Sequence, residues 1–396
     1  MNGTAAFSAS QLDMPVPAAA ALTHSQRLQA HIAAEIDAAG GSISFAQYME
    51  LVLYAPGLGY YSAGAQKFGA SGDFITAPEL SPLFGRCLAV QCQPLLASID
   101  NASILELGAG SGALAVTLLQ DLASAGCLPE HYYILEVSAD LRARQQRHLA
   151  DTMPDYYEQI VWLDALPQDF RGVVIANEVL DALPVHVVLQ QDGQWSEQCV
   201  ACSGEELVWQ TQPLSSELAE TVANTIPGSL PDPYQTEINL RLPDWLTALA
   251  ESIEQGLILF IDYGYPRTEY YHPQRNHGTL ICHYRQRAHE DPFLYPGLQD
   301  ISASVDFTLL AEAAVAAGLQ VSGFTTQAQF LLACGLDRLL LESGPPDSRA
   351  FMQQAHAAKQ LLLPAEMGER FKVMALSKEF EMPLTGFMSV DQRYRL

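Results

Sequence analysis

Between residues 103 and 177 short apolar runs (103–107, 132–137, 160–164 and 173–177) alternate with stretches of helical periodicity at 112–125 and 139–149. Strands this apolar have no face to offer water, and helices connecting parallel strands are what cover both faces. The alternation predicts an α/β fold with a doubly wound, mostly parallel sheet. It then breaks over 185–190, 194–202 and 206–212, where the Asp192-Gly193 turn and alternating runs predict an antiparallel meander inserted into the sheet's topology. Helices are expected near 215–223 and 242–254, and a buried strand over 257–263. After these come a strand at 279–284 closing the core, helices at 307–317, 329–342 and 348–362, and strands at 319–325 and 371–376.

The expected organisation follows from these elements. Residues 1–23, rich in Ala, Ser and Pro, read as a flexible tail. A helical N-terminal extension covers 24–100, with Ser44 placed as a helix cap. Within it, 57–85 is a loop of interleaved glycines and aromatic residues, too glycine-rich for a regular element, and a helix is expected over 81–96. The core spans 101–184, an inserted lobe of meander and helices 185–255, and the rest of the sheet with helical additions 256–396. The tail carries no Lys or Arg, so it fits neither a secretory nor a transit signal. No apolar run approaches the ~20 residues of a membrane helix. A cytoplasmic protein with no integral membrane segment is expected.

Charge narrows the partners. With 20 Lys+Arg against 45 Asp+Glu, the formal net charge of −25 repels phosphate backbones and attracts cations, although acidity also serves solubility alone. Nucleic acid is not an expected partner. The seven cysteines are an odd, scattered set, so reduced thiols are expected, and the single CxxC at Cys199 and Cys202 reads as incidental. His283 and His289 read as ordinary polar contacts, and no cluster has metal-ligand spacing.

The run Ile104-Leu-Glu-Leu-Gly-Ala-Gly-Ser-Gly112 puts three glycines in the first strand-to-helix turn, where missing side chains let backbone N–H groups approach a ligand. Glu136 ends the next apolar run, near the offset at which a carboxylate accepts both hydroxyls of a ribose. A dinucleotide site wants GxGxxG. Here Glu106 precedes Gly108, Gly110 and Gly112 in a GxGxG pattern, which resembles motif I of class I methyltransferases dependent on S-adenosylmethionine (SAM). That resemblance implies SAM as the cofactor, with Glu106, the three glycines and Glu136 at its site. It also puts Asp164, which ends the third run, beside the adenine amino group; capping a turn is the alternative for Asp164.

Further segments look like the MidA-like family, whose mitochondrial members assist assembly of respiratory complex I by methylating an arginine of a core subunit. They are Lys67-Phe-Gly-Ala-Ser-Gly-Asp-Phe-Ile-Thr-Ala-Pro-Glu-Leu-Ser81 with Phe84-Gly85, then Glu106–Gly112, Asn177-Glu-Val-Leu-Asp-Ala-Leu-Pro-Val185, Ile261-Asp-Tyr-Gly264 and Asp300-Ile-Ser-Ala-Ser-Val-Asp-Phe307. No segment after about residue 327 matches. The resemblance implies a class I methyltransferase fold and methylation of an arginine on a protein partner with a basic side chain. A small-molecule methyltransferase and a SAM-binding assembly factor with little turnover are the alternatives.

Two more groups of residues take roles on this reading. The glycines and Pro78 of the 67–81 segment suit a lid that folds over the cofactor, with Gly72 and Thr76 at the ligand. Asn177, Glu178 and Asp181 follow the fourth core strand, the edge towards which the cofactor's methyl group would point. Two carboxylates three residues apart can clamp a planar guanidinium for attack on the methyl carbon. Capping of a following helix is the alternative for both, and Asn177 either contacts SAM or ends the strand. Asp262 and Tyr263 are candidate rim residues, or simply end the fifth strand.

Overall fold

The computed structural model describes residues 14–62 and 75–396. The chain groups into two units. One comprises residues 75–180, 243–267 and 305–396; the other comprises residues up to 74, 181–242 and 268–304.

The first unit is built on the sheet that the strand–helix alternation predicts. Ser103–Leu107 lies between Tyr132–Leu135 and Phe170–Asn177, parallel to both. Ile160–Leu163 continues the sheet beyond Tyr132–Leu135, and Ile253–Tyr265 continues it beyond Phe170–Asn177, again in parallel. Phe371–Lys378 and then Gln320–Thr326 add an antiparallel edge. The chain therefore steps outward from its first core strand to the third and returns to the opposite side for the fourth. Such a reversal opens a crevice at the carboxyl ends of the two central strands, where open α/β sheets bind ligands.

Every residue of Ser103–Leu107 is buried, as are Val173, Val174, Ile175 and Ala176 on its neighbour. Full burial of one such aliphatic side chain contributes roughly 1.5–3 kcal/mol, so the strands are firm mounts for the loops that leave them. Leu114, Leu118 and Leu122 of helix Ala113–Ser124 join the same core. Helix Ala139–Thr152 starts where Ser138 Oγ accepts the Leu141 N–H at 3.3 Å.

The second unit is antiparallel. Ser42–Ser44, Gln194–Ser203, His186–Gln191 and Tyr234–Ile238 form one sheet in that order, and Glu206–Gln212 pairs with Gln194–Ser203. A second sheet places Ile281–Tyr284 between Arg287–His289 and Asp300–Ser302. Helices Ala19–Ala38 and Phe45–Tyr54 supply Leu28, Ile32, Phe45, Tyr48 and Val52 to its core. Ser44 caps the second helix as expected, in a reciprocal capping box with Gln47.

The class I methyltransferase-like fold, mostly parallel with its antiparallel insertion, is what the sequence indicated. Several elements differ. The first helix begins at Ala19, inside the expected tail, because an Ala-rich start favours helix even though the Ala18 cap makes no side-chain bond. The loop expected over 57–85 is helical already at Ala77–Leu80, while the helix expected over 81–96 is present as Pro82–Leu96 with Ser81 as its cap. Strand Ile281–Tyr284 belongs to the small antiparallel sheet and does not close the core. The helix expected over 329–342 is two, Gln327–Ala333 and Leu336–Leu341, broken by Gly335 at φ 83°. Among the described residues no helix is long and apolar enough to cross a membrane.

Candidate functional site

Leu107 ends the buried strand, and the chain turns through Gly108, Gly110 and Gly112 with φ of 65°, 54° and 85°. An L side chain in this left-handed region costs roughly 1–2 kcal/mol, which is why the turn is written in glycine. It is pinned at both ends: Gly108 N–H donates to Leu135 O at 3.0 Å, and Gly112 N–H donates to Ala109 O at 2.8 Å. Gly112 is also the cap residue of helix Ala113–Ser124. A Cβ on Gly108 would come within 3.4 Å of Val179 Cγ2. The glycine turn and the Asn177–Leu180 turn are thus neighbours at the point where the strand order reverses.

Glu136 follows strand Tyr132–Leu135 and is buried. Its Oε1 accepts the Ser138 N–H at 2.9 Å, and its Oε2 accepts Gln145 Nε2 at 3.0 Å. Glu106 is buried inside its strand and accepts the Tyr132 hydroxyl at 2.8 Å. Burial pushes its carboxyl up to about 7, with the Tyr132 hydrogen bond working against that rise and the Glu136 charge adding to it. Asp164, by contrast, is exposed and ion-paired with Arg142, which also donates to Trp162 O at 3.2 Å. Thr76 stands half-buried ahead of helix Ala77–Leu80 without a side-chain capping bond. Gly72 lies outside the described residues.

Beyond the fourth strand, Asn177 Nδ2 donates to Glu178 Oε1 at 3.0 Å, and Asn177 Oδ1 is buried with no hydrogen bond among the described residues. Glu178 holds φ 54°, a left-handed conformation in a residue with a side chain. Such a conformation costs of order 1–3 kcal/mol and persists only where its surroundings enforce it. Here they do. The Glu178 N–H donates to Ile261 O at 2.9 Å, and Asp262 Oδ2 accepts the N–H groups of Val179 at 3.2 Å and Leu180 at 2.9 Å. Asp262, one of the two rim candidates, is a buried support under this turn, its Oδ1 accepting the Tyr263 N–H.

No helix follows: the next regular element is strand His186–Gln191, so the helix-capping alternative for Glu178 and Asp181 falls. Asp181 is buried at the start of the 181–242 segment of the second unit, and its carbonyl accepts the Ala303 N–H at 3.0 Å. In that unit Tyr61 donates to Asp300 Oδ1 at 2.9 Å and stacks on Tyr54. Burial first, then the charges of Asp300 and Asp181, holds the Tyr61 hydroxyl well above its usual range, so it remains a donor.

Gln145 was not among the expected site residues, yet it is fully buried and touches the Gly110 carbonyl as well as Glu136. The signal was available: Leu141, Gln145 and Leu149 recur every fourth residue, so Gln145 shares the buried face of an otherwise polar helix.

Residues 87–325 match the model of a family described as S-adenosyl-L-methionine-dependent methyltransferase. Protein arginine methyltransferase NDUFAF7, mitochondrial, from Danio rerio is 29% identical, with 92% of each chain covered. The Drosophila melanogaster homolog of that name is 31% identical, over 85% of this chain and 82% of its own. A crystal structure from Burkholderia thailandensis with S-adenosyl-homocysteine bound is 44% identical, with a TM-score of 0.92 over 96% of this chain and 100% of the other. The cytoplasmic placement expected from the sequence does not stand, because the curated relatives are named as mitochondrial proteins.

The cofactor is SAM, and the residues at the reversal point suit it: three glycines leave the turn bare of side chains, and a buried carboxylate ends the adjacent strand. With its sheet, glycine turn and matched residues taken together, the chain belongs to the family of S-adenosyl-L-methionine-dependent methyltransferases.

Proposed function

We propose that the chain transfers the methyl group of SAM to an arginine side chain of a partner protein, one destined for a respiratory complex. The observation that carries this reading is the match with a protein arginine methyltransferase over 92% of both chains. SAM supplies a methyl carbon already activated by its sulfonium. The chain's own task is then positioning, and no strong base is needed. In this reading Gly108, Gly110, Gly112 and Glu136 hold SAM, aided by Glu106, Asp164, Gly72 and Thr76. Glu178 and Asp181 supply carboxylates to a guanidinium, and Asn177 holds Glu178. A carboxylate orients a planar guanidinium through paired hydrogen bonds and balances its charge. The net charge of −25 favours approach of a cationic segment.

The test is to incubate the purified protein with methyl-labelled SAM and a mitochondrial extract, then identify the labelled residue by mass spectrometry. Label on arginine in a protein is the expected result. Label on a small molecule or on another side chain would overturn the reading.

A further inference from the structure

The one buried polar side chain on helix Ala139–Thr152 that joins the cofactor elements is Gln145. Its Nε2 donates both to Gly110 O and to Glu136 Oε2, each at 3.0 Å. Its Oε1 accepts the Trp162 Nε1–H, also at 3.0 Å. One amide thus links the glycine turn, the end of the second strand and the end of the third.

Chemistry fixes which way the amide faces. An indole N–H can only donate, so the amide oxygen must face Trp162, and the NH₂ group must then face the carbonyl and the carboxylate. A flipped amide would set its oxygen against two acceptors and its NH₂ against a donor, leaving buried groups unsatisfied. We propose that Gln145, oriented by Trp162, is a positioning residue for SAM that holds Glu136 against the glycine turn and so sets cofactor affinity. This rests on the reading that Glu136 and the turn bind the cofactor. It assigns Gln145 and Trp162 no contact with the transferred methyl group, so their effect is on binding and not on the chemical step.

The test is a double-mutant cycle read by calorimetry with S-adenosyl-homocysteine, alongside Glu136→Ala. Gln145→Leu should weaken binding about tenfold, the loss expected for a hydrogen bond to a charged group. Trp162→Phe keeps an aromatic side chain, though a smaller one, and removes the donor; it should weaken binding in the wild-type background and add nothing when Gln145 is already Leu, the mark of two residues acting as one unit. KM for SAM should rise in both variants while kcat at saturating SAM is kept, which a general loss of packing would not produce.

Gln145→Glu keeps the shape and guards against a Leu variant that does not fold. Two facing carboxylates repel when both are ionised and share a proton when one is not, so this variant should bind weakly at pH 8 and recover towards wild type as pH falls to about 5. Equal effects of Trp162→Phe in both backgrounds, or a Gln145→Glu profile that follows wild type at every pH, would overturn the proposal. If Glu136→Ala weakens binding while Gln145→Leu does not, the proposal alone falls. If Glu136→Ala has no effect, the cofactor reading falls first and takes the proposal with it.

Discussion

Asp262 and Leu180 meet in a 2.9 Å hydrogen bond in which the carboxylate Oδ2 accepts the backbone N–H. The same oxygen accepts Val179 N–H and the other accepts Tyr263 N–H, so both oxygens of a buried carboxylate are committed to backbone amides. The turn that holds Glu178 at φ 54° is built on this carboxylate. An asparagine has one acceptor oxygen and must turn an NH₂ group towards at least one of these donors. Asp262→Asn should therefore cost about 2–3 kcal/mol, the range for buried hydrogen bonds to a charged group left unmade. Urea denaturation measures that loss. Methyl transfer should fall further than the loss of folded protein accounts for, and a variant with wild-type stability and wild-type transfer would remove Asp262 from its supporting role.

Glu106 makes stability depend on pH in a stated direction. Burial raises its carboxyl from the ordinary 4.5 to about 7, so the folded protein keeps a proton that the unfolded chain releases. Where the native state binds more protons, stability falls as pH rises. The contribution is intact below about pH 4.5 and is lost through about pH 7. Glu106→Gln removes the titration and can still accept from Tyr132, so it should be more stable than wild type at pH 8 by up to about 3 kcal/mol. Near pH 4 the two should converge. Denaturant titrations at both pH values decide it, and a wild type that gains on the variant with rising pH would contradict the assignment.

The cofactor site is tested by separating backbone from charge. Gly110 sits at φ 54°, so a β-branched side chain there is strained, and on the proposal that the turn holds SAM it also stands in the ligand's way. Gly110→Val should abolish S-adenosyl-homocysteine binding with the fold retained by circular dichroism. Glu136→Ala keeps the turn but removes the charged acceptor, and should weaken binding by about 1.5–3 kcal/mol. Calorimetry on both variants is the measurement, and unchanged affinity in either would remove that residue from the site.

What the sequence revealed and what it hid follow from the range of the interactions. The Ser103–Leu107 strand and its glycine turn are local: an apolar run can only be buried, and Gly108, Gly110 and Gly112 mark a backbone that other residues resist. Strand Tyr234–Ile238 was missed because its buried set includes Thr236 and Glu237, whose polarity masks the pattern. Glu237 is tolerated there because Thr279 donates to it from a distant segment, a partner no window on the sequence can see. Ile281–Tyr284 was recognisable as a strand but not as a member of the small sheet, since strand propensity says nothing about pairing partners. Near the reversal point, residue type alone singles out Glu178 and Asp181 as candidates, whereas Asp262 takes its supporting role from the amides that the turn after the neighbouring strand presents to it.

Glu178 and Asp181 allow binding and chemistry to be told apart. Glu178→Gln keeps an acceptor for Asn177 Nδ2 and differs from the native residue chiefly in charge. If the carboxylate balances a substrate guanidinium, affinity for S-adenosyl-homocysteine should stay near wild type while methyl transfer falls about 100-fold, because a neutral amide neither orients nor neutralises the cation as well. Asp181→Asn should act in the same direction. Glu178→Gly is the control for stability: glycine accepts φ 54° without strain, so this variant should unfold no more easily than wild type and still fail to transfer. A purely structural role predicts the opposite, with activity tracking stability across the series. The measurements are the melting temperature, the affinity for S-adenosyl-homocysteine and the rate of labelling of the arginine substrate in each variant. Wild-type rates in both amide variants would exclude the two carboxylates from the transfer step, and lost rates that recover with added SAM would move them to the cofactor.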